Sequence, residues 1–143
     1  MKNKGNWFWN VVIISVVAAC IFAFALHYQN YPKIEEGTFT VYSGIYSKRI
    51  PLKEVYAIER VNKIPKMERK SGFSWLAKEK GIFKDSLVMA DTYVFVDDLH
   101  QDKLRIQYQD SLSLYFNVED SVQTNAYYHK ILSFLKEHPK EPK

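Results

Sequence analysis

The densest group of side chains able to bind a metal ion or move a proton is the run Asp97-Asp98-Leu99-His100-Gln101-Asp102. Three carboxylates and an imidazole offer the oxygen and nitrogen ligands that a divalent cation accepts. The run lacks the Gly and the distal Glu of a calcium-binding loop, and it lies between two predicted strands. We therefore expect a hairpin turn here, with no metal and no cofactor.

Neither the other histidines nor the known catalytic motifs indicate an active site. The chain has no GxSxG, Walker, GxGxxG or HExxH motif, the patterns that position nucleophiles, phosphates or zinc in large enzyme classes. His27, His129 and His138 are scattered along the sequence. The sequence predicts no catalytic residue and no enzyme.

Basic and large apolar side chains alternate between residues 63 and 84. Such a mixture suits an anionic membrane surface or a protein interface, where Trp and Arg are typical anchors. In a third interpretation, Phe73, Trp75 and Leu76 merely attach a loop to the domain, and the lysines stay in water. The candidate contacts to a protein partner or to lipid are Lys63, Lys66, Arg69, Lys70, Phe73, Trp75, Lys78 and Lys80.

Composition and charge limit the classes of protein that this chain can be. It has 143 residues, a net charge of +4 and a single cysteine, Cys20, so no disulfide can form within one chain. Between residues 48 and 84 eleven basic residues face four acidic ones, and between 86 and 120 the balance is two to seven. Uneven solvated loops are one explanation of this charge asymmetry, and a basic face directed at lipid or an acidic partner is the other.

Residues 7–26 form an uncharged apolar segment that could position the rest of the chain. Twenty residues in an α-helix extend about 30 Å, which matches the hydrocarbon core of a bilayer. Aromatic residues lie at both ends, as in interfacial belts. The segment is predicted to be a single transmembrane helix, with Trp7, Trp9, Leu26 and Tyr28 as its anchor residues.

Two other interpretations of this segment stay open. Residues 17–20 resemble a lipoprotein cleavage box, which would make Cys20 a lipidation site, and a cleaved signal peptide is the third reading. For a spanning helix, Lys2 and Lys4 precede the segment and only Lys33 follows closely, so the positive-inside rule favours an extracytoplasmic domain.

The remaining residues predict a mainly β domain that ends in one helix. The expected organisation is a flank at 1–6, the span at 7–26, a connector at 27–37, the domain at 38–137 and a tail at 138–143. Alternating apolar residues predict strands at 38–42, 45–50, 55–61, 92–96, 104–108 and 112–118. Breaker residues predict a long loop at 62–81 with a helical turn at 73–80, then an irregular edge strand at 82–89. Helical periodicity predicts a helix at 120–137.

This arrangement resembles the bacterial pleckstrin-homology-like domains that follow N-terminal membrane helices. The resemblance covers about residues 34–137. It rests on the first hairpin at 38–50 leading into 50–55, then on 104–107, 115–117, Thr124 and Tyr128. It implies a partly open β-barrel or sandwich of about seven strands capped by the helix, in a bacterial cell membrane, and it implies no enzyme. The single hydrophobic segment and the long insertion depart from the family's common pattern.

The expected function is a non-enzymatic, membrane-anchored interaction module that binds a protein partner at the membrane surface. One alternative is a domain that senses anionic lipid headgroups through residues 63–84. Another is an immunity-type protector against a toxin that acts at the membrane. A nucleic-acid partner is not expected for a tethered domain.

Overall fold

The computed structural model of this protein describes residues 4–141. The predicted flank 1–6 and tail 138–143 lie partly outside these residues, and Lys2 lies wholly outside. Nine strands, a 3-10 turn and two α-helices occupy the described part of the chain. They are α1 (Lys4–Tyr28), β1 (Tyr31–Glu35), β2 (Thr38–Ser43), β3 (Tyr46–Pro51), the turn Leu52–Glu54, β4 (Val55–Val61), β5 (Glu68–Trp75), β6 (Lys78–Lys84), β7 (Asp91–Val96), β8 (Lys103–Tyr108), β9 (Leu112–Asn117) and α2 (Ser121–Glu137).

Helix α1 projects from the domain and exposes its apolar side chains. Its segment Gly5–Leu26 is long and apolar enough to cross a membrane, and none of it is buried by the domain. An apolar helix without a protein surface to cover it needs a non-aqueous environment. The helix predicted at 7–26 is therefore confirmed as a candidate membrane span.

The strands form two sheets. The first is antiparallel with the order β1-β2-β3, and the second has six strands in the order β4-β8-β9-β7-β6-β5. All neighbours in the second sheet are antiparallel except β7 and β9, which run parallel. Within residues 4–141 the sheets do not close into a barrel. The mainly β class with a terminal helix is confirmed, with nine strands instead of seven, and the expected connector contains β1.

The long loop predicted at residues 62–81 and its helical turn are wrong. Strands β5 and β6 pair there as a hairpin, in which Gly72 lies directly opposite Gly81. Both glycines have positive φ, and a Cβ on Gly81 would lie 2.1 Å from the carbonyl oxygen of Ser71. Glycine tolerates this backbone approach because it lacks a Cβ. The glycines that the sequence presents as breakers thus permit a close approach of the two paired strands. Strand β6 lies between β5 and β7, so it is not an edge strand.

Helix α2 covers one end of the main core. Its N-cap is Asp120, whose carboxylate accepts the N–H of Val122 at 2.9 Å. Ile131 is fully buried among the apolar residues between the two sheets, and Tyr127 stacks edge-on against Phe39 and Phe116. A second cluster lies on the other face of the six-stranded sheet, where Ile64, Met67 and other side chains cover Phe83, Val94, Val96 and Tyr115.

Candidate functional site

The joint between α1 and the domain is built around Asn30, which is buried. Its side-chain amide donates to the carbonyl oxygens of Phe95 at 2.7 Å and Asn117 at 2.8 Å. Its backbone N–H donates to Asp97 Oδ2 at 2.9 Å. These three bonds connect Asn30, two residues beyond the end of α1, to the ends of β7 and β9.

Asp97 is the electrostatic centre of this joint. Its carboxylate is almost fully buried, and Lys80 Nζ lies 2.9 Å from Oδ1. Burial lowers the pKa of the Lys80 ammonium, and the hydrogen bond and charge of Asp97 oppose that shift. A buried charge without a partner is very unfavourable, so the charged form of each side chain is stabilised by the other.

Lys78 and Asn117 complete the joint. The ammonium of Lys78 lies 4.2 Å from the centre of the Tyr28 ring, at the last residue of α1, and 3.9 Å from both Asp97 and Glu119. A cation above an aromatic face is attracted by the ring quadrupole. Asn117 Oδ1 accepts the backbone N–H of Asp97 at 2.8 Å. Helix, hairpin and strand ends therefore meet at one polar cluster.

The polar run 97–102 is a connection and not the expected hairpin turn. Strands β7 and β8 are separated by β9, so the run crosses between strands that do not pair. Asp98 accepts hydrogen bonds within the run, and the one from the backbone N–H of His100 is the main cause that lowers the Asp98 pKa. Among the described residues, no group of three or more His, Cys, Asp or Glu is placed to hold a metal ion.

The predicted basic contacts do not form one free cationic face. Lys78 and Lys80 are buried in the joint. Arg69 lies 3.3 Å from Glu79, and Lys70 lies 2.8 Å from Asp91, in exposed ion pairs. Lys63 and Lys66 are exposed. Four of the six predicted cations thus have an acidic partner in the domain.

The apolar members of the predicted contacts also differ in their exposure to solvent. Phe73 is half-buried, whereas Trp75 and Leu76 are 57% and 87% exposed at the turn between β5 and β6. The interpretation in which all three attach a loop to the domain is wrong for Trp75 and Leu76. Ile64 and Met67 make that attachment instead.

Sequence reasoning missed a second exposed apolar turn, at residues 85–90 between β6 and β7. Leu87 is 92% exposed and Met89 is 70% exposed, with Val88 between them. The backbone is ordered by hydrogen bonds to Asp85, from Met89 N to the carbonyl oxygen and from Leu87 N to Oδ1. The available signal was an apolar triplet between Asp85 and Asp91. We call residues 87–89 the distal tip.

The distal tip lies at the opposite end of the sheet from the joint. Strand β6 begins at Lys78, in the joint, and ends at Lys84, beside the tip. Its seven residues extend roughly 20 Å at the usual rise of a strand. The domain therefore has a joint end, next to α1, and a distal end that carries the tip.

The predicted anchor residues lie near the two ends of α1. Trp7 and Trp9 are exposed near its start, and Leu26 and Tyr28 are exposed at its end. Comparisons of this chain with protein-family models, with curated proteins and with solved structures found no match.

Proposed function

We propose that this protein is a non-enzymatic, single-pass membrane protein whose domain binds a protein partner in the adjacent aqueous compartment. We further propose that the domain is a bacterial pleckstrin-homology-like module. Two facing sheets with a terminal helix across one end support that assignment. The parallel pairing of β7 and β9 is a feature that the resemblance does not predict.

The distal tip is the observation that carries the partner proposal. Three large apolar side chains on one ordered turn are unfavourable in water unless something covers them. The tip is about 20 Å from the joint along β6. When β6 points away from the bilayer that holds α1, the bilayer does not reach the tip. The partner that fits is a protein with an apolar cleft.

Charges near the distal end favour a protein over lipid headgroups. Arg69 and Lys70 lie near the start of β5, which pairs with the end of β6 beside the tip. Their ion pairs with Glu79 and Asp91 weaken the field of these two cations. The anionic-lipid alternative through these residues therefore has little electrostatic support.

Site-directed photo-crosslinking in cells tests the partner proposal. We expect benzoylphenylalanine at position 88 of the full chain to crosslink one protein, and the same probe at exposed Ser133 on α2 to miss it. The double variant L87S/M89S should abolish the crosslink and keep the far-UV circular dichroism of the wild type. Equal crosslinking at both positions, or none at position 88, would contradict the proposal.

Labelling of intact cells tests the proposed extracytoplasmic side. Cys20 is the chain's single cysteine, so the variant C20A/S133C places one thiol on the domain. A membrane-impermeant maleimide should label this thiol before lysis. Labelling only after lysis would place the domain in the cytoplasm.

A further inference from the structure

The joint end of the domain also carries exposed apolar side chains. Ile45, Trp75 and Leu76 are exposed by 79%, 57% and 87%, and each belongs to a turn between two strands or to its edge. Such turns usually carry Asn, Asp or Gly. Three large apolar residues in these places need an explanation other than turn formation.

Strand pairing places both turns beside the end of α1. In the first sheet, Tyr31 pairs with Tyr42, so the turn with Ile45 lies where the chain enters from the helix. In the second sheet, the turn with Leu76 precedes Lys78, whose ammonium contacts the Tyr28 ring. Both apolar turns are therefore neighbours of the proposed membrane surface.

Leu76 contradicts two local preferences at once. Its φ is +52°, in the left-handed region that favours Gly or Asn. It is also the most exposed apolar residue at this end of the domain. Asn would relieve the backbone and suit water. Folding in water therefore does not explain a large apolar side chain at this position, whereas contact with an apolar surface does.

Hydrogen bonding and burial anchor the turn that presents these side chains. The N–H of Leu99 donates to the carbonyl oxygen of Ala77 at 2.7 Å, which ties the turn to the 97–102 connection. On its other side, Lys78 is buried in the joint. Trp75 and Leu76 are therefore attached on one side to the 97–102 connection and on the other to Lys78, which contacts Tyr28 of α1.

Charge at this end argues against recruitment by anionic headgroups. Asp98, Asp102, Glu119 and Asp120 lie in the two connections around Asn30 and Asp97, and Lys78 is already paired. Against these four carboxylates stands the exposed Lys63, just beyond the end of β4. An anionic surface would repel these carboxylates. Apolar side chains can supply contact with the bilayer at this end without anionic headgroups, and Trp is well suited to the interface.

We propose that Ile45, Trp75 and Leu76 enter the interface of the bilayer that α1 crosses, and thereby seat the domain at a fixed tilt. This inference rests on the proposed span of α1 but not on the protein partner. The seat is independent of lipid charge. It also directs the distal tip away from the membrane.

Quenching of a single tryptophan by brominated lipids tests the seat. The full-length variant W7F/W9F keeps Trp75 as its only tryptophan. In nanodiscs that hold one chain each, we expect brominated phosphatidylcholine to reduce Trp75 emission by roughly twofold or more, with or without phosphatidylglycerol. Adding L76N should reduce this quenching and preserve the circular dichroism spectrum. One chain per disc removes contact with a second copy as a cause.

A matched control places the reporter at the distal tip. The variant W7F/W9F/W75F/L87W should show water-exposed emission without quenching. Unquenched Trp75, quenching only with phosphatidylglycerol, or equal quenching at positions 75 and 87 would each overturn the seat. Loss of the crosslinked partner with Trp75 still quenched would overturn only the proposed function. Failure of the chain to float with lipid vesicles would overturn both.

Discussion

The backbone N–H of Asn30 donates to Asp97 Oδ2 at 2.9 Å, although the two residues are 67 positions apart in the sequence. This bond joins the residue just beyond α1 to the carboxylate that also pairs with Lys80. The attachment of the membrane helix and the buried charge of the domain are therefore one structural unit. Disturbing either should loosen the position of the domain relative to the bilayer.

We predict that Asn30→Ala lowers the free energy of unfolding of the domain by about 2 kcal/mol, because two buried carbonyl oxygens lose their donor. Urea denaturation of the full chain in detergent micelles, followed by circular dichroism, measures this change. Hydrogen exchange of the Asn30 region should also accelerate. The control Gln29→Ala alters an exposed neighbour and should change stability by less than about 0.5 kcal/mol.

We predict that Lys80→Met destabilises the domain by about 3–5 kcal/mol, because it leaves Asp97 buried without its nearest cation. Lys70→Met is the matched control, since it breaks an ion pair of similar length that is half exposed. That control should lower stability by less than about 1 kcal/mol. Equal losses in the two variants would show that the Lys80–Asp97 pair has no special role.

We predict that Gly81→Ala destabilises the hairpin of β5 and β6 by more than about 2 kcal/mol, because the new Cβ would collide with the backbone of Ser71 and Gly72. Gly37→Ala separates the effect of the collision from the effect of positive φ. Gly37 also has positive φ, but a Cβ there would meet no atom within 4 Å. The free energy of unfolding of this variant should fall only by the conformational penalty of about 1–2 kcal/mol. Thermal denaturation of both variants gives the comparison.

We predict that Tyr108→Phe raises stability relative to the wild type as the pH increases above 10. Burial raises the pKa of the Tyr108 phenol, and the charges of Tyr93 and Glu54 add to that shift. The unfolded chain then releases its proton near pH 10 while the folded chain keeps it, so the wild type loses stability as pH rises. Phe has no such proton. The difference should grow by up to about 1.4 kcal/mol per pH unit.

Denaturation midpoints at pH 8, 9, 10 and 11 test this prediction. The lowered pKa of Lys48, Lys80 and Lys103 makes stability rise with pH over part of the same range, but these groups occur in both proteins and cancel in the difference. A difference that is constant across the series would show that Tyr108 ionises equally in both states.

Much of the secondary structure followed from local sequence patterns. Strand β4 has the bounds expected from the sequence, and the terminal helix and the first hairpin lie where periodicity predicted them. The hairpin of β5 and β6 was missed because Gly72 and Gly81 resemble breakers when each is considered alone. Only their pairing across the hairpin shows that a missing Cβ is what allows the two backbones to approach so closely.

The candidate site was less predictable, because its properties arise from distant residues. Lys78 and Lys80 resemble surface cations in the sequence, yet the end of β7 brings Asp97 beside them. Trp75 and Leu76 resemble core residues, yet they lie exposed at the last residue of β5 and in the turn that follows it. Composition gives a side chain's preference for water, and its position in the fold decides whether that preference is met.

By itself, the sequence determined the apolar helix, predicted at residues 7–26, the β class of the domain and the helix that ends it. These features depend on local periodicity and on the length of an uncharged run. Only the tertiary structure decided the order of the strands, the burial of Lys80 with Asp97, and the separation of the apolar turns between the joint end and the distal end. The physical reason is that strand partners and charge partners are chosen by non-local packing, which a local pattern of residues does not encode.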